Sequence, residues 1–153
     1  FIKPGSVTMN KAPIADKFAA FEELIPPLTD LNTPYREALS RGELILQKCQ
    51  TCSSYQYPFE SFCYECGSTE LAHQISNGQG FIYSFVKVHQ PYHPAFKPFI
   101  PYTVATIQLD EGPRLLCAML DLTTEVKIGD RVTPRIERIT ANESMLTYKL
   151  EGS

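Results

Sequence analysis

Two Cys-x-x-Cys pairs, Cys49 with Cys52 and Cys63 with Cys66, lie ten residues apart and constrain this chain more than any other feature. Pairs at this spacing can place four thiolates around one tetrahedral ion, at metal–sulfur distances near ~2.3 Å. Sulfur then fills every position and leaves none open for water or substrate, so the expected role of the ion is structural. Zinc is the expected metal. Iron in a rubredoxin-like site is its chemical rival, because softness and geometry suit both ions. Leu44-Ile45-Leu46 leads into Cys49 as a strand, and Tyr55, Tyr57, Phe59 and Phe62 follow at strand-like spacing. Two knuckles, each at the end of a short hairpin, make the pattern of a zinc ribbon.

Cysteine usage also bears on the compartment. The chain holds five cysteines, an awkward number for a secreted disulfide framework, and four of them sit in tight pairs, which points to metal in a reducing environment. The fifth, Cys117, lies in the apolar run Leu115 to Met119, where a small thiol packs like any hydrophobe. Nothing adjacent supplies a base to activate it. No run approaches the ~18 apolar residues of a membrane span, and the first thirty residues lack the pattern of a signal peptide. The expectation is a soluble, cytoplasmic protein with no membrane partner.

The expected fold class is mainly β, in three parts. Residues 1–30 read as an extended, partly disordered arm, with a short helix over Lys17 to Leu24 that Pro26-Pro27 ends. Residues 31–80 read as a helix plus the four-cysteine ribbon. In that helix Thr33 is placed to cap, Pro34 suits the first position, Tyr35 and Leu39 share a face, and Gly42 stops it. Residues 81–153 hold five β-like runs: Phe81 to Val88, Tyr102 to Leu109, Arg114 to Leu120, Arg131 to Ile139, and Met145 to Leu150. Turns at Asp110-Glu111-Gly112-Pro113 and Lys127-Ile128-Gly129-Asp130 punctuate them. Five strands in so short a segment fit an OB-fold, a partly open Greek-key barrel.

Between the first two barrel strands runs His89 to Pro101, with four prolines, three aromatic residues and two of the three histidines. It is too rich in proline for a strand or a helix interior. A stiff loop that exposes aromatic side chains loses little entropy on docking, which suits a protein partner or an acyl chain. Alternatively, Tyr92, Phe96 and Phe99 fold back to cap the open end of the barrel. The i, i+4 spacing of His89 and His93 has no fixed geometry in a loop and no third ligand is evident. Nor does the sequence place a serine, cysteine or carboxylate beside either histidine as a catalytic partner. No catalytic residue is assigned.

In combination these segments resemble the zinc-ribbon plus OB-fold proteins associated with acyl-CoA metabolism, accessory subunits of thiolase-superfamily enzymes. The resemblance is carried by Pro34 to Leu39, Gly42 to Cys49, Cys63-x-x-Cys66-Gly67-Ser68 and Gly80 to Phe85. It continues through His89-x-Pro91, His93-Pro94-Ala95-Phe96, Pro101-Tyr102, Leu109 to Gly112 and Ile128-Gly129-Asp130. It implies a non-catalytic subunit of a hetero-oligomer that binds a thiolase, acyltransferase or retro-aldol lyase and helps form or cover its acyl-CoA site. CoA or acyl-CoA would then be shared with the partner. By the same resemblance His89, Tyr92, His93, Phe96 and Phe99 belong to the partner or acyl-CoA interface.

A single-stranded nucleic-acid-binding module is the alternative, since ribbons and OB-folds both serve that purpose. The charge pattern argues against it. The net charge is -3; from Leu44 to Gly80 the only basic residue is Lys48, against Glu60, Glu65 and Glu70; and from Phe81 to Leu150 there are eight basic and seven acidic residues. A single-strand binder needs a positive track.

Overall fold

The computed structural model describes residues 8–9, 16–120 and 125–152. Strand β1 is Thr8–Met9, helix α1 is Asp16–Ala19, a 3-10 segment covers Ala20–Leu24, and helix α2 is Thr33–Ser40. The ribbon strands are β2 (Leu44–Cys49), β3 (Tyr55–Gln56) and β4 (Leu71–Ser76). The barrel strands are β5 (Gly80–Val88), β6 (Tyr102–Leu109), β7 (Arg114–Met119), β8 (Arg131–Arg138) and β9 (Ser144–Leu150), with a second 3-10 segment over Pro94–Phe99. The five barrel strands fall within a residue of the runs read from alternation. Among the described residues, no helix is long and apolar enough to cross a membrane.

Helix α2 begins one residue earlier than the capping pattern suggests. Thr33 is already helical and its hydroxyl donates to the Thr29 carbonyl at 2.6 Å, so Asn32 takes the cap position. Thr29 and Asn32 instead lock the entry turn reciprocally: the Thr29 amide donates to Asn32 Oδ1 and the Asn32 amide to Thr29 Oγ1. Gly42 ends the helix at φ 80, with its amide donating to the Leu39 carbonyl. Residues 16–24 turn into helix because Phe18 and Phe21 find a core. Phe18 stacks on Phe99 at 5.6 Å and Phe21 meets Phe96 edge-on at 5.0 Å.

In the ribbon, β2 is central, flanked antiparallel by β3 and β4. In the barrel, β5 pairs with β6, β6 with β7, and β8 with both β5 and β9. The seam between β7 and β9 has no backbone ladder. The Cys117 thiol crosses it to the Leu146 carbonyl at 3.1 Å. β1 runs parallel to β8 at Arg135 and Ile136. The barrel core is built from Ile82, Ile107, Leu109, Met119, Val132 and Tyr148, and Leu46, Tyr55 and Tyr57 of the ribbon pack into the same cluster.

The two parts are joined where Gly78 and Gly80 allow close approach. Gly78 has φ +68, and a Cβ there would lie 2.5 Å from Pro134 Cγ. The buried Tyr148 hydroxyl donates to the Gly78 carbonyl at 2.8 Å. A Cβ on Gly80 would collide with the Gln108 carbonyl oxygen.

The aromatic run between the knuckles departs from the strand reading. β3 ends at Gln56, Tyr57 turns into the barrel-facing core, Phe59 is buried against Tyr35 and His73, and Phe62 is exposed. Pro58 has no N–H to donate to a ladder, and side-chain amides take over the hydrogen bonding from there. His73 lies inside β4 opposite Gln47 and stacks on Phe59 at 5.3 Å, a structural role.

Candidate metal centre and interface loop

The four ribbon cysteines converge. Their sulfurs all lie within 4.8 Å of one another, with Cys49 to Cys66 and Cys52 to Cys63 both at 3.6 Å. A tetrahedral ion with metal–sulfur bonds of ~2.3 Å requires sulfur–sulfur edges of ~3.8 Å, so the arrangement fits one ion held by four thiolates. Cys49 and Cys63 are buried, while Cys52 and Cys66 are exposed.

The two knuckles share one local design. The Cys49 amide donates to the Ser54 carbonyl and the Ser53 amide returns to the Cys49 carbonyl; Cys63 and Ser68, then Gly67 and Cys63, repeat this. Ser53 and Gly67 occupy equivalent left-handed positions, at φ 66 and φ 77. Amides point at the sulfurs: Thr51 and Cys52 donate to Cys49 Sγ and Glu65 to Cys63 Sγ, each at 3.4 Å. The hydroxyls of Thr51 and Ser68 meet at 2.9 Å and tie the knuckles together. Ser54 Oγ lies 3.0 Å from Cys52 Sγ and 3.4 Å from Cys63 Sγ.

These contacts favour thiolates. The Cys52 amide holds the Cys49 thiol below its usual range, and the Ser54 hydroxyl leads the groups that bring Cys63 down to about 6. At Cys66 the Ser68 amide pulls downward, but burial and the three neighbouring thiols outweigh it and push the group up to about 12. Four thiolates therefore coexist only when a cation offsets their mutual repulsion. Cys117 behaves differently: burial alone raises it to about 12, as befits a core thiol with no base.

Behind the knuckles, two buried glutamines organise the connection that delivers Cys63. Gln47 Nε2 donates to the Glu60 carbonyl at 2.8 Å, while its Oε1 accepts from the Glu60 amide and from Gln56 Nε2, both at 2.9 Å. Gln56 Nε2 also donates to the Phe62 carbonyl, and its Oε1 accepts from the Tyr64 amide. The sequence analysis missed this pair. Its signal is Gln47 itself, a polar residue completing an apolar run in a strand paired on both edges. The repeated Cys-x-x-Cys-x-Ser offset likewise announces Ser54 and Ser68.

The proline-rich loop divides in two. Tyr92 is 80% exposed, and His89 is also exposed. Phe99 is buried and Phe96 half-buried, stacked on Tyr102 at 4.8 Å; both fold back onto the cluster made with Phe18 and Phe21. His93 is held between these halves. Its Nδ1 accepts from the Ala95 amide, which leaves Nε2 to donate to Glu23 at 3.1 Å. Asp110 pairs with Arg131 through two bonds of 2.8 and 2.9 Å.

Comparison with known proteins agrees with this architecture. Residues 36–72 match the family described as ChsH2, rubredoxin-like zinc ribbon domain, and residues 73–137 match ChsH2, C-terminal OB-fold domain. A DUF35 domain-containing scaffold protein of Methanocaldococcus jannaschii is 30% identical over 118 residues, covering 74% of this chain and 83% of the relative. A probable enoyl-CoA hydratase alpha subunit of Thermomonospora curvata is 32% identical over 105 residues, 68% of this chain; the match spans only 32% of that subunit. Among solved structures, a chain of the Ltp2-ChsH2(DUF35) aldolase superposes with a TM-score of 0.73 at 28% identity, covering 82% of this chain and 98% of the other. With a zinc-ribbon domain carrying four cysteines positioned for one metal ion and an OB-fold barrel behind it, this chain belongs to the ChsH2-like DUF35 family.

Proposed function

We propose that this chain is a non-catalytic scaffold subunit that binds a thiolase-superfamily enzyme (a thiolase, acyltransferase or retro-aldol lyase) and helps form or cover its acyl-CoA site. The observation that carries this reading is the superposition on nearly the whole of one chain of the Ltp2-ChsH2(DUF35) aldolase. The reading is also supported by the chemistry of the described residues. The exposed histidine of the loop has no nucleophile paired with it, and the one cysteine outside the ribbon is a buried, neutral thiol.

In this role the ion is zinc, held by Cys49, Cys52, Cys63 and Cys66, and its work is to fold the ribbon. The loop from His89 to Pro101 faces the partner or the acyl-CoA. Tyr92 and His89 make the contact, and His93, Phe96 and Phe99 hold the loop in place from behind. The nucleic-acid reading fares less well: Lys87, Arg131 and Arg135 are each bonded to a carboxylate at 2.6 to 2.8 Å, and Arg114 lies over the Tyr83 ring at 3.7 Å. Few cations are left to form a continuous track for phosphates.

The test is capture of the tagged chain from its native lysate, with mass spectrometry and metal analysis of the complex. A near-stoichiometric thiolase-superfamily protein, whose activity falls when this chain is withheld, supports the proposal. Recovery of nucleic acid, or turnover of an acyl-CoA by the chain alone, overturns it.

A further inference from the structure

A cavity of about 400 Å³ lies over the unladdered seam between β7 and β9, roofed by the first 3-10 segment and α2. Its size is within the range of ordinary small-molecule sites. The wall is almost wholly hydrocarbon, with Phe21, Leu24, Ile25, Leu39, Ala118 and Met145 among its residues. Of the polar side chains that reach it, all but Ser144 are engaged by the protein. Arg36 donates to both carboxylate oxygens of Glu143, at 2.7 and 3.3 Å, and to the Pro26 carbonyl. Asn32 is engaged by the Thr29 amide and the Pro27 carbonyl. Desolvation keeps the Tyr35 phenol neutral by raising it well above its usual value.

A ligand entering this space therefore meets no net charge and, among the described side chains, only the Ser144 hydroxyl as a polar group not already engaged. A polar or ionic group placed there would lose its water with little compensation, whereas a hydrocarbon would lose nothing. The space is also anchored: the Arg36–Glu143 pair and the bond from Ser40 Oγ to the Asn142 carbonyl pin α2 to the β8–β9 turn, and the Phe21–Phe96 contact holds the roof. Ala118 supplies the room, since a longer side chain at that position of β7 would enter the cavity. At about 30 Å³ for a water-sized group, the volume of about 400 Å³ holds up to about thirteen carbons, room enough for a ten-carbon chain.

We infer that this cavity is a binding site for a medium-length alkyl chain, entered beside the exposed side chain of Leu24. The inference stands on the cavity alone and does not depend on the scaffold reading. If both hold, the chain bound here is the apolar end of the partner's acyl substrate.

The probe is 1-decanol, titrated into the full chain carrying ¹³C-methyl methionine and followed by NMR. Met145 lines the cavity, while Met119 is enclosed in the barrel core and serves as the internal control. The expected result is a saturable shift of the Met145 methyl with Met119 unmoved, weakened at least tenfold by Ala118→Leu. Leu24→Trp at the exposed mouth provides a second obstructing variant should Ala118→Leu fail to fold. Absence of a saturable shift, equal shifts at Met145 and Met119, or full affinity in the obstructed variant overturns the inference. Capture of the enzyme partner by a wild-type chain that takes up no decanol overturns the cavity assignment and leaves the scaffold proposal standing; decanol uptake without a partner does the reverse. Loss of the partner in the obstructed variants, with no decanol uptake by wild type, assigns the cavity to a protein side chain and overturns the alkyl reading.

Discussion

Gln47→Met is a sharp test of how the metal centre is held. The two side chains are similar in length, so packing in β2 is largely kept, but three hydrogen bonds disappear: one to the Glu60 carbonyl, one from the Glu60 amide and one from Gln56. Gln56 keeps its bond to Phe62, so the main loss falls on the two backbone groups of Glu60. Each costs about 1–3 kcal/mol when left unsatisfied in a buried setting. Glu60 is half-buried and water can partly replace the amide, so the lower end applies, about 2–3 kcal/mol for the pair. The strained element is the connection that presents Cys63, and in a small ribbon folding and metal binding share one free energy. At 1.4 kcal/mol per tenfold, metal affinity should weaken roughly 30- to 100-fold. Competition against a chromophoric chelator measures this directly, with Gln74→Met on the exposed face of β4 as a control expected to change nothing. Affinity within threefold of wild type in Gln47→Met would refute the claim that buried amides, rather than the cysteines alone, position the second knuckle.

Cys63→Ser should release the metal, taking the content from about one equivalent per chain to below a tenth and unfolding the ribbon; elemental analysis and circular dichroism read the two effects. Gly80→Ala drives a Cβ against the Gln108 carbonyl oxygen in the β5–β6 ladder, where nothing yields without breaking the pairing, so a loss of roughly 3 kcal/mol or more in urea unfolding is expected. Tyr148→Phe strands the buried Gly78 carbonyl and should cost about 1–3 kcal/mol, seen as a fall of several degrees in Tm. Hydrogen bonding and charge from Arg131 hold the Asp110 carboxyl below its usual value. Its contribution is therefore present above the unfolded pKa of about 3.9 and lost as pH falls through the lower folded value; Asp110→Asn should flatten the stability profile in that acidic window and nowhere else.

Where residue chemistry alone restricts the backbone, the sequence was legible. Two cysteine pairs at a fixed spacing, alternating strands with a glycine turn between β6 and β7, and Gly42 after an amphipathic turn have few structural solutions, and the ribbon and barrel strands follow from them. Less was legible where a residue's partner lies far along the chain. The run Tyr55 to Phe62 has strand-like spacing, yet Gln47 and Gln56 capture the backbone after Pro58 and turn it into a shaped connection. A local competition was also hidden: Thr33 has the chemistry of a cap, but its hydroxyl finds the Thr29 carbonyl one turn back instead.

The same division runs through the functional surfaces. By itself the sequence marked the four cysteines that converge for one metal ion, since their spacing suffices, and it marked His89 to Pro101 as a stiff aromatic loop. Only the tertiary structure decided that Phe96 and Phe99 turn inward onto Phe18 and Phe21 while Tyr92 stays exposed, because that outcome depends on a core assembled from segments some eighty residues apart. It alone also produced the alkyl-sized cavity, whose walls come from the 3-10 turn, α2, β7 and β9 together. A void belongs to none of the segments that border it: it arises from how packed elements fail to meet, and no local pattern in the chain encodes that.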